Sequence, residues 1–207
     1  MCEKVTQKNC SNIMRTLETF EDDRYYYIVT EYMQAGDLYN YLCNLHDQPM
    51  SEEHTKSVLK QLATAVDVLH SHNILHRDIK IENVLVEDFS RMTSLKLADF
   101  GLAVQLASPT EKINDVVGTN GYIAPEILQE QSYSFAADVY SLGATIYFLL
   151  TGDHPFDDSI HEEMIRKVIE DPLDLTDNSY TDNLSEPLKN LLSGMLEKDP
   201  SKRLTVK

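Results

Sequence analysis

Residues 136–150, AADVYSLGATIYFLL, form an almost wholly apolar run with one carboxylate, Asp138, near its start. A helix apolar on every face belongs inside a core, so the rest of the chain must wrap around this one. The run is far short of the roughly 20 residues a membrane span needs, and no membrane partner is expected. Candidate wrapping elements lie on both sides. Val58, Leu62, Ala65, Val66 and Leu69 recur at helical spacing behind Ser51, a good N-cap, with Glu52 and Glu53 at the positive helix end. That helix is expected to stop near His72-Asn73. Further helices are expected in PEILQE (125–130), HEEMIRKVIE (161–170) and EPLKNLLSGMLEK (186–198). Tyr25–Thr30 (YYYIVT) is β-branched and aromatic and reads as a strand. Gly36 breaks it, and Asp37 is placed to cap a helix in DLYNYLCNL. Short strand-like runs, ILH (74–76), VLVE (84–87) and LKLAD (95–99), alternate with charged loops. The pattern predicts an α-rich α+β lobe with its chemistry in the middle loops.

The length of 207 residues suits one domain, or one large lobe with part of a second. The formal charge is −16, from 18 basic and 34 acidic residues. Nucleic acid binding needs clustered Lys and Arg, so it is not expected, whereas a basic peptide or protein suits this field. The bland reading of the acidity is solubility alone. Cys2, Cys10 and Cys43 lack CxxC spacing and read as reduced thiols of an intracellular, cytoplasmic protein, with neither a disulfide frame nor a zinc site. The N-terminus MCEKVTQKNCSN carries no apolar signal segment.

The chemistry concentrates in three ordered motifs. The first is HRDIKIEN, His76 to Asn83. It resembles HRD-x4-N, the catalytic loop of protein kinases, and the resemblance implies a carboxylate at Asp78 that accepts or orients the proton of an attacking hydroxyl, with Lys80 neutralising charge on a phosphoryl group in transfer. Asn83 offers a neutral amide oxygen to magnesium, a hard cation. The second, DFG at Asp99-Phe100-Gly101, follows the strand-like LKLA and places a metal-binding carboxylate at Asp99. The third is APE at Ala124-Pro125-Glu126. In this order and spacing the chain resembles the eukaryotic protein kinase family along almost its whole length.

The resemblance implies a kinase-like fold: residues 1–30 as a remnant of the small N-lobe, 31–36 as hinge and 37–207 as the helical C-lobe. It implies ATP and Mg2+ as cofactors. Thr30 would be the gatekeeper. Glu31 and Met33 would present backbone groups to the adenine edge, Asp37 would meet the ribose, and Leu85 would floor the pocket. Taken singly, Thr30 and Leu85 read equally well as core packing and Asp37 as a helix cap. Asp138 is similar to the family's buried helix Asp that holds the backbone of the catalytic loop. Arg203 is similar to the late Arg that pairs with the APE Glu, here Glu126.

Lys80 and Gly118-Thr119 resemble Ser/Thr rather than tyrosine kinases. Glu82 and Asp37 stand where basophilic relatives place acids, so the expected partner is a protein whose target Ser or Thr lies near basic residues. By texture the nearest group is the calcium/calmodulin-dependent-like kinases. The family's usual activating phosphoacceptor position holds Asp115, which could pair with Arg77 and order the loop without phosphate; the duller reading is a solvated Asp. Ser108 and Thr110 flank Pro109 and are weaker phosphosite candidates. The sequence contains no G-x-G-x-x-G and no VAIK-type Lys, and the place of the helix Glu that pairs with that Lys falls around Met1 and Glu3. The expectation is an N-terminally truncated kinase; the alternative is a non-catalytic, pseudokinase-like binding module.

Overall fold

In the computed structural model, which describes residues 10–44, 49–88, 94–176 and 180–207, the chain opens with strands β1 (Thr16–Glu21) and β2 (Tyr26–Thr30). Then come β3 (Gly36–Asp37), α1 (Leu38–Asn44), α2 (Glu52–Ser71), β4 (Ile74–Leu75), a 3-10 turn at Ile81–Asn83, β5 (Val84–Val86), β6 (Leu95–Leu97) and β7 (Val104–Gln105). Helices α3 (Pro125–Leu128), α4 (Ala136–Thr151), α5 (His161–Glu170) and α6 (Glu186–Met195) complete an α+β architecture. Cys2 and the positions around Met1 and Glu3 lie outside the described residues.

Helix α4 is the apolar run, and every residue of it but Ala136 and Phe148 is buried. Two of its hydroxyls survive burial by bonding backward: Thr145 and Thr151 donate to the carbonyls of Ser141 and Tyr147. Gly143 lets α6 come close, since a Cβ there would stand 2.9 Å from Met195 Cβ. Helix α2 turns Val58, Leu62, Ala65, Val66 and Leu69 inward, all without exposure. Ser51 Oγ accepts from the His54 N–H, and the helix ends at His72 with Asn73 at φ 58°, a region Asn tolerates. Among the described residues no helix is long and apolar enough to cross a membrane.

Three small antiparallel sheets frame the middle loops: β1-β2, β3-β5-β6 and β4-β7. In β3-β5-β6, Asp37 stands opposite Leu85, and Leu85 opposite Lys96. Directly opposed residues share a face, so these three form one row across the sheet. Val84, Val86, Leu95 and Leu97 pack into the core on the other face.

The strand expected from Tyr25 starts one residue later. Tyr25 closes a turn in which Asp22 N–H donates to the Tyr25 carbonyl and Asp22 Oδ1 accepts from the Arg24 and Tyr25 N–H groups. The run LKLAD ends its pairing at Leu97, because Asp99 adopts φ 57° and leaves the extended region. The last helix stops at Met195, ahead of Pro200, rather than running to Lys198.

Candidate active site

The HRD tripeptide is held from below by α4. Asp138 Oδ2 accepts from the His76 N–H and Oδ1 from the Arg77 N–H, both at 2.9 Å. His70, near the end of α2, brings Nε2 to 2.9 Å from Oδ2. Burial pushes the Asp138 carboxyl up, but the bonds from His70 and His76 outweigh it and hold it below the ordinary carboxylate value. The same grip sustains Arg77 at φ 71°, a conformation that costs about 1–3 kcal/mol for such a residue. His76 is fully buried; Asp78 N–H donates to its Nδ1 (3.3 Å), so the ring proton sits on Nε2, facing the Ala98 carbonyl at 3.0 Å. Burial lowers its pKa and keeps the ring neutral, against the pull of Asp138 and the Ala98 carbonyl.

Asp78 follows, with both carboxylate oxygens engaged. Oδ1 accepts from the Thr119 hydroxyl at 2.6 Å. Oδ2 stands 3.0 Å from Lys80 Nζ and accepts from Asn83 Nδ2 at 3.0 Å. Lys80 Nζ also donates to Thr119 Oγ1 at 2.7 Å, closing a ring of Asp78, Lys80 and Thr119. Burial works to raise the Asp78 pKa, but Thr119, Lys80 and Asn83 outweigh it, so the group stays ionised.

Asn83 and Asp99 are brought to the same end of the β5–β6 hairpin. Val84 pairs with Leu97, and beyond that pair Ala98 N–H donates to the Asn83 carbonyl at 2.9 Å. Because Asn83 spends its amide nitrogen on Asp78, its Oδ1 is the end left for a cation. Asp99 is exposed, and its Oδ1 accepts from the Gly101 N–H at 3.0 Å. One amide oxygen and one exposed carboxylate make an oxygen donor set suited to magnesium, which keeps waters and phosphate oxygens for its other positions. These residues fit a Mg-nucleotide.

Of the residues expected at a nucleotide base, Glu31 spends its backbone N–H on the Arg15 carbonyl (3.0 Å) and its side chain on Lys96 (2.9 Å) and the Arg15 N–H (2.7 Å). Among the described residues no hydrogen bond engages the Glu31 carbonyl or the Met33 N–H. Met33 is buried and Leu85 half-buried. Asp37 does cap α1: Oδ1 accepts from the Asn40 N–H (2.7 Å) and Oδ2 from Asn40 Nδ2 (2.8 Å). Thr30, the last residue of β2, is exposed.

Residues 99–126 pass in front of this site and are tied down at several points. Arg77 donates from Nε to the Leu102 carbonyl and from Nη1 to Asp115 Oδ2 (2.9 Å) and the Tyr133 hydroxyl (3.4 Å). Ile113 and Tyr133 exchange two backbone bonds. At the far end Glu126 and Arg203 form a buried bidentate pair at 2.7 and 2.8 Å, and neither touches the Asp78 ring.

Sequence reasoning missed the partners these residues use. In the sequence Thr119 stands out only beside Gly118, yet its hydroxyl joins Asp78 to Lys80. His70, Tyr133 and Lys96 carried no motif signal; their contacts with Asp138, Arg77 and Glu31 span 56 to 68 positions of chain and arise only on folding. A hydroxyl a fixed short distance before APE was the one available clue, and it pointed to Thr119.

Comparison with known proteins agrees with this geometry. The family model described as protein kinase domain matches residues 2–207. The chain is 36% identical over 187 residues to Serine/threonine-protein kinase PLK4 of Drosophila grimshawi, covering 90% of this chain and 24% of that protein. It is 37% identical over 194 residues to Serine/threonine-protein kinase TIO of Arabidopsis thaliana, covering 94% and 14%. With PLK4 of Xenopus laevis it shares 36% over 195 residues, covering 94% and 20%. The chain thus spans about a quarter or less of the length of these relatives.

Proposed function

The chain belongs to the protein kinase domain family, and from that premise we propose that it is a Ser/Thr protein kinase, moving the γ-phosphoryl group of Mg-ATP to a Ser or Thr hydroxyl of a protein substrate. The observation that carries the reading is the ring in which Thr119, Lys80 and Asn83 converge on the ionised Asp78. In this proposal Asp78, whose carboxylate can accept further hydrogen bonds, receives the substrate hydroxyl beside Thr119 and aims its oxygen. A carboxylate held below its ordinary pKa is a weak base, so Asp78 acts chiefly by orientation and takes the proton late. Lys80 stands beside it to offset charge on the group in transfer. Asn83 and Asp99 are assigned to the metal, Glu31 and Met33 to the adenine edge and Leu85 to the pocket floor. Asp37 is assigned to the ribose and must loosen from Asn40 to serve there. Bound Mg-ATP supplies the phosphoryl group and neutralises its charge.

The proposal extends to partners and setting. Glu82 is exposed beside the catalytic loop, and with Asp37 and the −16 charge it favours a target flanked by Arg or Lys, without nucleic acid or membrane. Affinity to the calcium/calmodulin-dependent-like group rests on sequence texture, while the relatives compared are PLK4 and TIO kinases. Residues 1–30, 31–36 and 37–207 are assigned to the N-lobe, the hinge and the C-lobe. A reducing, cytoplasmic setting is supported by the free thiols of Cys10 and Cys43. The non-catalytic module is the less favoured reading, because a scaffold has no need of Asp78, Lys80, Asn83 and Asp99 in one place.

Radiolabelled phosphoryl transfer from ATP to an arrayed peptide library tests this. We expect Asp78→Asn to lower turnover by about 10²–10⁴-fold. Labelling restricted to acidic or proline-directed peptides refutes the basic preference. Since the sequence lacks G-x-G-x-x-G, the 207 residues alone are expected to bind Mg-ATP weakly; robust turnover by them, lost in Asp78→Asn, overturns that part.

A further inference from the structure

His154 lies in the connection between α4 and α5, outside every motif above, yet it packs directly on the segment that carries Thr119. Its ring meets Tyr122 edge-on, with centroids 4.9 Å apart and planes at 88°, and tilts against Phe148 at 4.9 Å. It fills the space where Gly121 has no side chain. A Cβ at Gly121 would stand 2.5 Å from His154 Nδ1 and 2.6 Å from Cε1, closer than any real contact. Gly121 also has φ 87°, so this position is closed to other residues by the backbone and by the ring at once. Nδ1 itself is buried and has no hydrogen-bond partner among the described residues. Burial lowers the His154 pKa, against the pull of Asp157, Glu82 and Asp153, so the ring is a neutral packing surface.

The turn under this ring runs from Thr119 to Tyr122 and is closed by one bond, Tyr122 N–H to the Thr119 carbonyl at 3.0 Å. On its other side Ser141 of α4 donates to the Tyr122 carbonyl at 2.8 Å. The turn is therefore clamped between α4 and the imidazole. We infer that His154 is a positioning residue whose ring, seated over Gly121, holds this turn and so keeps the Thr119 hydroxyl on Asp78 and Lys80. The consequence for turnover rests on the kinase reading; the clamp itself does not.

The test is a double-mutant cycle on the full chain, read first by hydrogen exchange at the Tyr122 amide, with α2 amides as the folding control. Gly121→Ala is expected to speed Tyr122 exchange by about tenfold or more, from the clash and the positive φ together. His154→Ala alone speeds it less. In Gly121→Ala/His154→Ala the clash is gone, so exchange becomes slower than in Gly121→Ala. If the double variant is as fast as the product of the singles predicts, only the backbone conformation matters and the inference is overturned. The second readout is kinetic: kcat for peptide falls in Gly121→Ala and partly recovers in the double variant, while KM for ATP is unchanged. Recovery of Tyr122 protection in a protein that shows no phosphoryl transfer upholds the clamp and counts against the kinase reading alone. Gly121→Asn, which tolerates positive φ, must still show the clash; normal Tyr122 exchange in it also overturns the inference.

Discussion

Two anchors grip the same tripeptide, His76-Arg77-Asp78, from opposite sides. From the core, Asp138 takes the backbone N–H groups of His76 and Arg77 with a carboxylate that has no exposure. From the surface, Asp115 takes the Arg77 guanidinium at the same 2.9 Å, but Asp115 is 67% exposed. Identical distances do not mean identical energies. Asp138 was brought out of water, and its loss strands donors that have no solvent to turn to. Asp115 has water available as a substitute, and salt screens its pair. The first anchor is a condition of the fold, while the second can be adjusted without unfolding anything.

The comparison breaks first, and hardest, at the core. Asp138→Ala leaves the His76 and Arg77 N–H groups buried and unpaired and removes the support for Arg77 at φ 71°. A loss of about 3–5 kcal/mol is expected in urea unfolding, with phosphoryl transfer abolished. A loss under about 1 kcal/mol would mean that the loop is held elsewhere and that the core anchor is not one.

A buried pair far from the chemistry sharpens the point. Arg203→Ala exposes nothing of the Asp78 ring but leaves Glu126 buried without its bidentate partner. A loss of about 3 kcal/mol in the same assay is expected, with KM for ATP unchanged in the fraction that remains folded.

Acid should release the core anchor. His76 is buried neutral with its pKa lowered from 6.5, so below about pH 6.5 the unfolded chain binds a proton that the folded one refuses, and stability falls with pH. Asp138 has a folded pKa below its ordinary 3.8, so its contribution is complete above that value and is lost as pH falls through the lower folded value. Urea midpoints should therefore decline in two stages, one beginning near neutrality and one in strong acid. A flat profile from pH 7 to 4 would contradict a neutral buried His76.

Much of this fold is legible in the sequence, and the reason differs by residue. Helix α4 was legible because a run apolar on every face has one fate. The five inward residues of α2 were legible through period, and its start through Ser51. Motif order singles out Asp78, Asn83 and Asp99, and the fold sets Asn83 on Asp78 and brings Asn83 and Asp99 to one end of the β5–β6 hairpin. Asp138 and Arg203 were assigned by resemblance, and each makes the contact the resemblance implied. What sequence could not supply were partners joined only by long loops, such as His70 with Asp138 or Tyr133 with Arg77. Gly121 stayed hidden for another reason: the ring it meets, His154, lies more than thirty positions onward. Asp37 bears out the helix-cap reading, accepting from the Asn40 N–H, while it stands opposite Leu85 in the sheet.

The smallest effect is expected at the surface anchor, where the comparison is most exposed to being wrong. Residues 99–126 are fixed by the Arg77 bond to Leu102 and by the paired bonds of Ile113 with Tyr133, so Asp115 is one tie among several. A carboxylate offers about one charge where a phosphate offers about 1.5 to 2, and an exposed pair contributes about 0–1 kcal/mol. Asp115→Ala should then leave the urea midpoint nearly unchanged and lower peptide turnover by no more than about fivefold, with a smaller difference at high salt. Asp115→Asn, which keeps the shape and drops the charge, should behave the same way if charge is what Arg77 uses. A loss as deep as that of Asp138→Ala would show that the exposed pair governs the loop, and the contrast between the two anchors would fail. No change at any salt concentration would make Asp115 a solvated bystander and leave the ordering of the segment to Leu102, Ile113 and Tyr133.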